Sequence, residues 1–72
     1  MSNKVAIKHY IRYFRRLAKH NFHGAVGYVN SKEGEISDME IAARYLSIKG
    51  INITSSVNIE NDGERTTKLF LG

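Results

Sequence analysis

The spacing of apolar residues changes along this chain, and that change limits the folds it can adopt. In residues 3–20 apolar side chains recur every three or four positions, which is typical of an amphipathic helix packed on a core. In residues 51–59 they recur roughly every second position, which is typical of a strand. With both periods in 72 residues, the chain is predicted to be one small α+β domain spanning residues 1–72.

The first half of the chain is predicted to contain a long helix and a strand. Ser2 or Asn3 can cap a helix over residues 3–20, because their side-chain oxygens accept hydrogen bonds from free backbone N–H groups. Residues 22–30 fit a helix or a strand, and the cluster of Val and Tyr favours the strand. Residues 31–34 then form a turn, and the next two residues form a short strand that pairs back.

The second half is predicted to contain a capped helix and a β-hairpin. Ser37 and Glu40 form a capping box, in which the Ser37 oxygen accepts from the Glu40 N–H and the Glu40 side chain reaches back to the cap. The helix covers residues 37–49. The sequence Asn61-Asp62-Gly63 predicts a hairpin turn, since Asp and Gly tolerate positive φ, and residues 64–71 return as a strand.

One core is expected to form between these elements, because a chain of this length buries little surface. The apolar residues expected to be mostly buried are Ile7, Ile11, Phe14, Leu17, Ile41, Tyr45, Leu46, Ile53, Val57, Leu69 and Leu71. The aromatic residues expected to contribute to it are Tyr10, Phe14, Phe22, Tyr28, Tyr45 and Phe70.

Charge is distributed unevenly between the two halves of the sequence. Residues 1–32 contain seven Lys and Arg and no acidic residue, whereas residues 33–72 contain four basic and seven acidic residues. The first helix has a basic stripe opposite its apolar stripe, although like charges at i, i+4 destabilise a helix. A polyanionic partner would explain this pattern, because its phosphates would neutralise the stripe.

The sequence therefore predicts nucleic-acid binding, with DNA favoured over RNA, by a regulator that contacts phosphates through its first helix. Arginine forks suit bidentate phosphate contacts, and a tyrosine beside them can stack on a base or hydrogen-bond a phosphate. The candidate residues are Lys8, Arg12, Tyr13, Arg15, Arg16 and Lys19, with Arg65 and Lys68 contributed by the hairpin.

Other functional classes are not expected from this sequence. It contains no GxSxG, Walker or HExxH motif, so we predict no enzymatic activity and no cofactor. His20 and His23 lack a third metal ligand, and there is no cysteine, so no metal site is predicted. The lack of cysteine and of an apolar N-terminal segment predicts a cytoplasmic protein without a membrane anchor.

Part of the chain resembles a known DNA-binding family. The segment Gly34-Glu35-Ile36-Ser37-Asp38-Met39-Glu40-Ile41-Ala42-Ala43-Arg44-Tyr45-Leu46 resembles the short strand and following helix of winged helix-turn-helix domains. The hairpin with Asn61-Asp62-Gly63 at its tip resembles the wing, so the resemblance covers residues 34–71. It implies a recognition helix in the major groove and a wing on the backbone or minor groove.

Two interpretations that involve protein partners remain open. The small, basic, cysteine-free chain is similar in style to accessory proteins of bacteriophages, many of which bind a host enzyme. The alternative function is therefore a protein-interaction module that docks on an acidic surface of a larger enzyme as a regulator or inhibitor. A homodimer is a further alternative: the strand Thr66 to Leu71 could pair with a second copy if it lies at a sheet edge.

Overall fold

The computed structural model describes residues 3–32 and 34–72. Its elements in chain order are α1 (Lys4–Lys19), β1 (Gly24–Lys32), α2 (Asp38–Ile48), β2 (Ile53–Ile59) and β3 (Glu64–Leu71). This arrangement confirms the predicted α+β class and the order of helix, strand, second helix and hairpin. It also shows that the ambiguous segment after the first helix is a strand.

Side-chain caps and left-handed residues define both ends of each helix. The Asn3 side chain accepts from the N–H groups of the first turn of α1, and the Ser37 Oγ accepts from the Glu40 N–H at 3.2 Å in α2. Each helix ends in a Schellman motif, with Asn21 (φ 58°) or Gly50 (φ 96°) in the left-handed conformation. Ser2, the other cap considered for α1, lies outside the described residues.

The three strands form an antiparallel sheet in the order β1-β3-β2. β3 is therefore the central strand, and the condition under which residues 66–71 could pair with a second copy is not met. The open edges belong to β1 and β2. No short strand forms at Glu35 and Ile36 either, because β1 continues to Lys32 and pairs with β3 along its length. Glu33, in the turn predicted there, lies outside the described residues.

Both helices cover one side of the sheet, which we call the helix-facing side. Its β3 residues are Arg65, Thr67, Leu69 and Leu71, and α1 and α2 add Phe14, Ala42, Ala43 and Leu46 to the core. Gly27 of β1 lies on this side, where the end of the Met39 side chain of α2 occupies the space that a Cβ would take. The other side of the sheet, the open side, is covered by neither helix.

Five of the predicted core residues are buried, namely Phe14, Leu46, Ile53, Leu69 and Leu71. Ile7, Ile11, Leu17 and Ile41 are half-buried around them. The prediction was wrong for Tyr45, which faces solvent under the Lys49 ammonium, and for Val57, which is 53% exposed. Val57 lines an open cleft between β2 and α2, together with Ala43, Arg44 and Ser47.

Two further aromatic residues predicted for the core are exposed. Tyr28 lies on the open side of the sheet, because a bulge between Ala25 and Gly27 shifts the alternation of β1. Phe22 follows the end of α1 and is 42% exposed. Tyr10 and Phe70 are half-buried.

Candidate nucleic-acid interface

The six cationic side chains of α1 lie together on the side of the helix away from the core. At about 100° per residue they occupy an arc of about 120°, and the core-facing residues occupy the opposite arc. We call this surface the basic face: Lys4, Lys8, Arg12, Arg15, Arg16 and Lys19. All six residues are exposed. The structure thus brings together the five predicted cationic residues of the first helix and adds Lys4 to them.

The basic face has no ion-pair partner among residues 3–32 and 34–72. Within those residues the only salt bridge joins Arg65 of β3 to Glu40 of α2, and neither residue belongs to α1. The first turn of α1 contains no acidic residue, and the nearest carboxylate contact is Asp38 Oδ1, which accepts from the Asn3 N–H at 3.1 Å. The positive charge of the basic face is therefore not neutralised by the described carboxylates.

Tyr13 lies at the margin of the basic face. Its ring is 44% exposed and packs on Phe14 at 5.6 Å between ring centroids, with a tilt of 51°. Tyr13 is therefore partly exposed beside the cations, where a ligand on the basic face could reach it. Val5 lies within the basic arc and is 78% exposed, so the face also contains one apolar side chain.

Arg65 does not join the basic face. Its Nη2 donates to Glu40 Oε1 and Oε2 at 3.0 and 3.2 Å, to Ser31 Oγ at 3.1 Å and to the Glu35 carbonyl. The two charged side chains are only 15% and 8% exposed. Because its guanidinium is occupied on the helix-facing side of the sheet, Arg65 is not positioned for a phosphate in the way that the sequence analysis expected.

The same contact changes the role that the sequence assigned to Glu40. The Ser37 half of the capping box forms, but the Glu40 carboxylate accepts from Arg65 and from the Ser37 hydroxyl at 3.4 Å. A signal for this pairing exists in the sequence. Arg65 has the same strand parity as Leu69 and Leu71, so its side chain points towards the core, where a charge needs a partner.

Lys68 is exposed but lies on the open side of the sheet, in register with Tyr28 of β1 and Ser56 of β2. Since both helices cover the opposite side, one flat ligand surface cannot contact Lys68 and the basic face together. The tip of the hairpin is acidic, with Glu60, Asp62 and Glu64 all exposed. A phosphate backbone would be repelled by these three carboxylates.

Two further kinds of site, a metal cluster and a membrane-spanning helix, are absent from the described part of the chain. Residues 3–32 and 34–72 contain no group of three or more His, Cys, Asp or Glu side chains that could hold a metal ion. None of the described helices is long and apolar enough to span a membrane. The basic face is therefore the strongest concentration of functional groups on the described surface.

Comparison with known proteins identifies no relative of this chain. No protein-family model matches the chain, and neither a curated protein nor a solved structure matches it. The functional argument therefore depends on the residues of this chain.

Proposed function

We propose that this protein binds DNA through the basic face of α1, mainly by contacts to phosphates. The observation that carries the proposal is the group of six exposed cations on one side of a 16-residue helix, none of which forms an ion pair with a described carboxylate. Phosphates neutralise such a surface and release condensed counterions, which favours binding at low salt. The fold supports this use, because the apolar side of α1 is anchored on the core and the basic side is left open.

The shape of the element favours DNA over RNA. The major groove of B-DNA is about 12 Å wide and admits an α-helix, whereas the corresponding groove of A-form RNA is too deep and narrow for side chains to read. Arg12, Arg15 and Arg16 can each form bidentate contacts with phosphate oxygens. The basic face contains no Asn or Gln, so sequence discrimination by bidentate contact to adenine is not expected from it.

The resemblance to winged helix-turn-helix domains suggests a different orientation, with α2 and the hairpin on DNA. In this chain β2 begins at Ile53, directly after the loop that follows α2, and the hairpin tip is acidic. These two observations favour α1 as the element that contacts the phosphates. In our proposal α2 acts as support for α1.

The proposal is tested by titrating a labelled DNA duplex at several salt concentrations. Five or six phosphate contacts give a slope of about −5 in a plot of log K against log salt, and each lost contact reduces it by about 0.9. The double variant Arg12→Gln, Arg16→Gln is expected to lower affinity and reduce the slope by about 2. The matched control, Arg44→Gln with Lys49→Gln, removes the same charge from α2 and leaves the slope nearly unchanged.

Two results would contradict the proposal. A salt-independent affinity would exclude the electrostatic mechanism. An equal loss in the α1 and α2 variants would show that net charge, and not the basic face, determines binding.

A second function is favoured by one observation. Val5 is exposed within the basic face, and a phosphate backbone offers it no apolar partner. An acidic protein surface with an apolar centre would contact both kinds of side chain, as expected for a module that regulates or inhibits a larger enzyme. Excess unrelated DNA discriminates the two functions, because it displaces a nucleic-acid ligand but leaves a shape-matched protein partner bound.

A further inference from the structure

The two edges of the sheet differ in their protection against pairing with another strand. β1 is interrupted by a bulge between Ala25 and Gly27 and ends in the exposed Lys32. Bulges and edge lysines are the features by which proteins prevent edge-to-edge association. β2 has neither: its pairing with β3 is regular, and residues 51–59 contain no charged residue and no proline.

The register of β2 shows which of its backbone groups are free. Asn52 O accepts from Gly72 N, and Glu60 N donates to Glu64 O, so even-numbered residues of β2 form the hydrogen-bonded pairs with β3. Odd-numbered residues then direct their N–H and C=O groups away from the sheet. Ser55 and Val57 therefore present two adjacent sets of unpaired backbone groups at this edge.

The same odd-numbered residues place apolar side chains on the helix-facing side of the sheet. Ile53 is buried there, but Val57 is 53% and Ile59 is 57% exposed, and Val57 lines a surface cleft together with Ala43 and Arg44 of α2. The edge thus combines free hydrogen-bonding groups with two apolar side chains that remain about half exposed in the described chain.

We propose that β2 pairs with β2 of a second copy, in antiparallel orientation, to form a continuous six-stranded sheet. With Ser56 at the two-fold axis, Ser55 lies opposite Val57 of the second copy, and Ile53 lies opposite Ile59 of the second copy. Both pairs use odd-numbered residues, so the outward groups of Ser55 and Val57 meet and exchange hydrogen bonds. At the Ile53–Ile59 pair the Ile53 carbonyl accepts from the Ile59 N–H of the second copy, since the Ile53 N–H already donates to the Ile51 carbonyl at 2.9 Å. Ile59 of each copy then extends the row formed by Leu71 and Ile53, and becomes part of a continuous core.

The occupant is a second copy because this edge is complementary to itself. The protein has a net charge of +4, so two copies repel each other over most of their surfaces. At the β2 edge no like charges oppose each other, since all seven strand residues are uncharged. Pairing along the full strand also covers all four of the exposed Val57 and Ile59 side chains in the dimer.

Sedimentation equilibrium over a wide concentration range tests the proposal. The wild-type chain is expected to reach twice the 8.2 kDa chain mass, and Val57→Lys is expected to weaken dimerisation at least about tenfold, because it buries a charge beside Ser55 of the second copy. The matched control is Thr54→Lys, which adds the same charge to the same strand on the open side, opposite the neutral Asn58 of the second copy. It is expected to retain the dimer.

Ile59→Lys provides a second test at the exposed end of the strand, where a lysine is tolerated by the monomer even if Val57→Lys impairs folding. It too is expected to weaken the dimer. A wild-type chain that stays monomeric at every concentration would overturn the proposal. The proposal would also be overturned if Thr54→Lys weakened the dimer as much as Val57→Lys does. The same holds if neither Val57→Lys nor Ile59→Lys weakened it.

Discussion

Arg65 and Glu40 form a buried ion pair that links the central strand to the first turn of α2. Arg65 Nη2 donates to both Glu40 carboxylate oxygens, to Ser31 and to the Glu35 carbonyl, whereas the buried Arg65 Nε has no hydrogen-bond partner among the described residues. Removing one member leaves the other charge buried without a partner, which costs more than the pair itself contributes. The two residues are therefore structural rather than part of the proposed interface.

Arg65→Met is expected to lower the free energy of unfolding by about 3 kcal/mol, because it leaves the Glu40 carboxylate unpaired. The double variant Arg65→Met, Glu40→Met is expected to recover part of that loss. Urea denaturation of both variants measures this, and Lys68→Met on the open side of β3 is the control. A loss no larger than that of Lys68→Met would show that the ion pair does not stabilise the fold.

The burial and the contact partners of single side chains were the features that the sequence predicted least completely. Hydrophobicity assigned Tyr45, Val57 and Tyr28 to the core, but it does not say how far a helix covers a strand or where a bulge shifts the alternation. Arg65 and Glu40 were each given a local role, in the interface and in the cap. Their pairing depends on the position of β3 beside α2, which is a long-range property.

At the scale of elements, the helices were well predicted because their signals are local. Asn3 and Ser37 cap the helices, and Asn21 and Gly50 end them, all within one turn of the positions concerned. The order of strands in the sheet was not predicted. It depends on the pairing of β1 with β3, and these strands are far apart in the sequence, so no local pattern indicates that they are neighbours. The basic face belongs to the predictable part, because it follows from the helical period alone.

The charge pattern of α1 predicts opposite effects on stability and on binding. Arg12 is three or four residues from Lys8, Arg15 and Arg16, and all three neighbours have the same charge. Arg12→Glu replaces these repulsions by attractions and is expected to raise the free energy of unfolding by about 1 kcal/mol, while it weakens DNA binding. Thermal denaturation and duplex titration of one sample measure both effects.

Arg44→Glu on α2 is the matched control for this charge reversal. It places an acid one turn after Glu40, so it creates a like-charged pair instead of removing one, and no gain in stability is expected. Its effect on duplex binding is expected to be much smaller than that of Arg12→Glu. If Arg12→Glu lowered the free energy of unfolding, the like charges on α1 would not be destabilising in the free protein.

At the scale of the whole molecule, the two proposals reinforce each other. Pairing of β2 strands about an axis perpendicular to the sheet keeps both helix-facing sides on the same side of the extended sheet. The basic faces of two copies of α1 would then be presented together to one DNA molecule. Binding through both faces raises the effective affinity without any new contact.

This arrangement predicts that the dimer interface affects DNA affinity. Val57→Lys is expected to weaken duplex binding by at least about tenfold at low salt, although it adds a positive charge, because each monomer offers a single basic face. Thr54→Lys adds the same charge and is expected to keep the wild-type affinity. Titration of a duplex long enough for two copies measures this, and equal affinities for the two variants would contradict a bivalent arrangement.

The position of Glu40 has a consequence for how this small molecule loses its structure. Its carboxylate accepts from the serine that begins one helix and from the arginine of the middle strand. Separating α2 from β3 would take the Arg65 guanidinium away from that carboxylate and leave it with the Ser37 hydroxyl of its own helix. Because a buried charge without its partner is costly, we expect α2 and β3 to open together, so that α1 keeps its support until both give way.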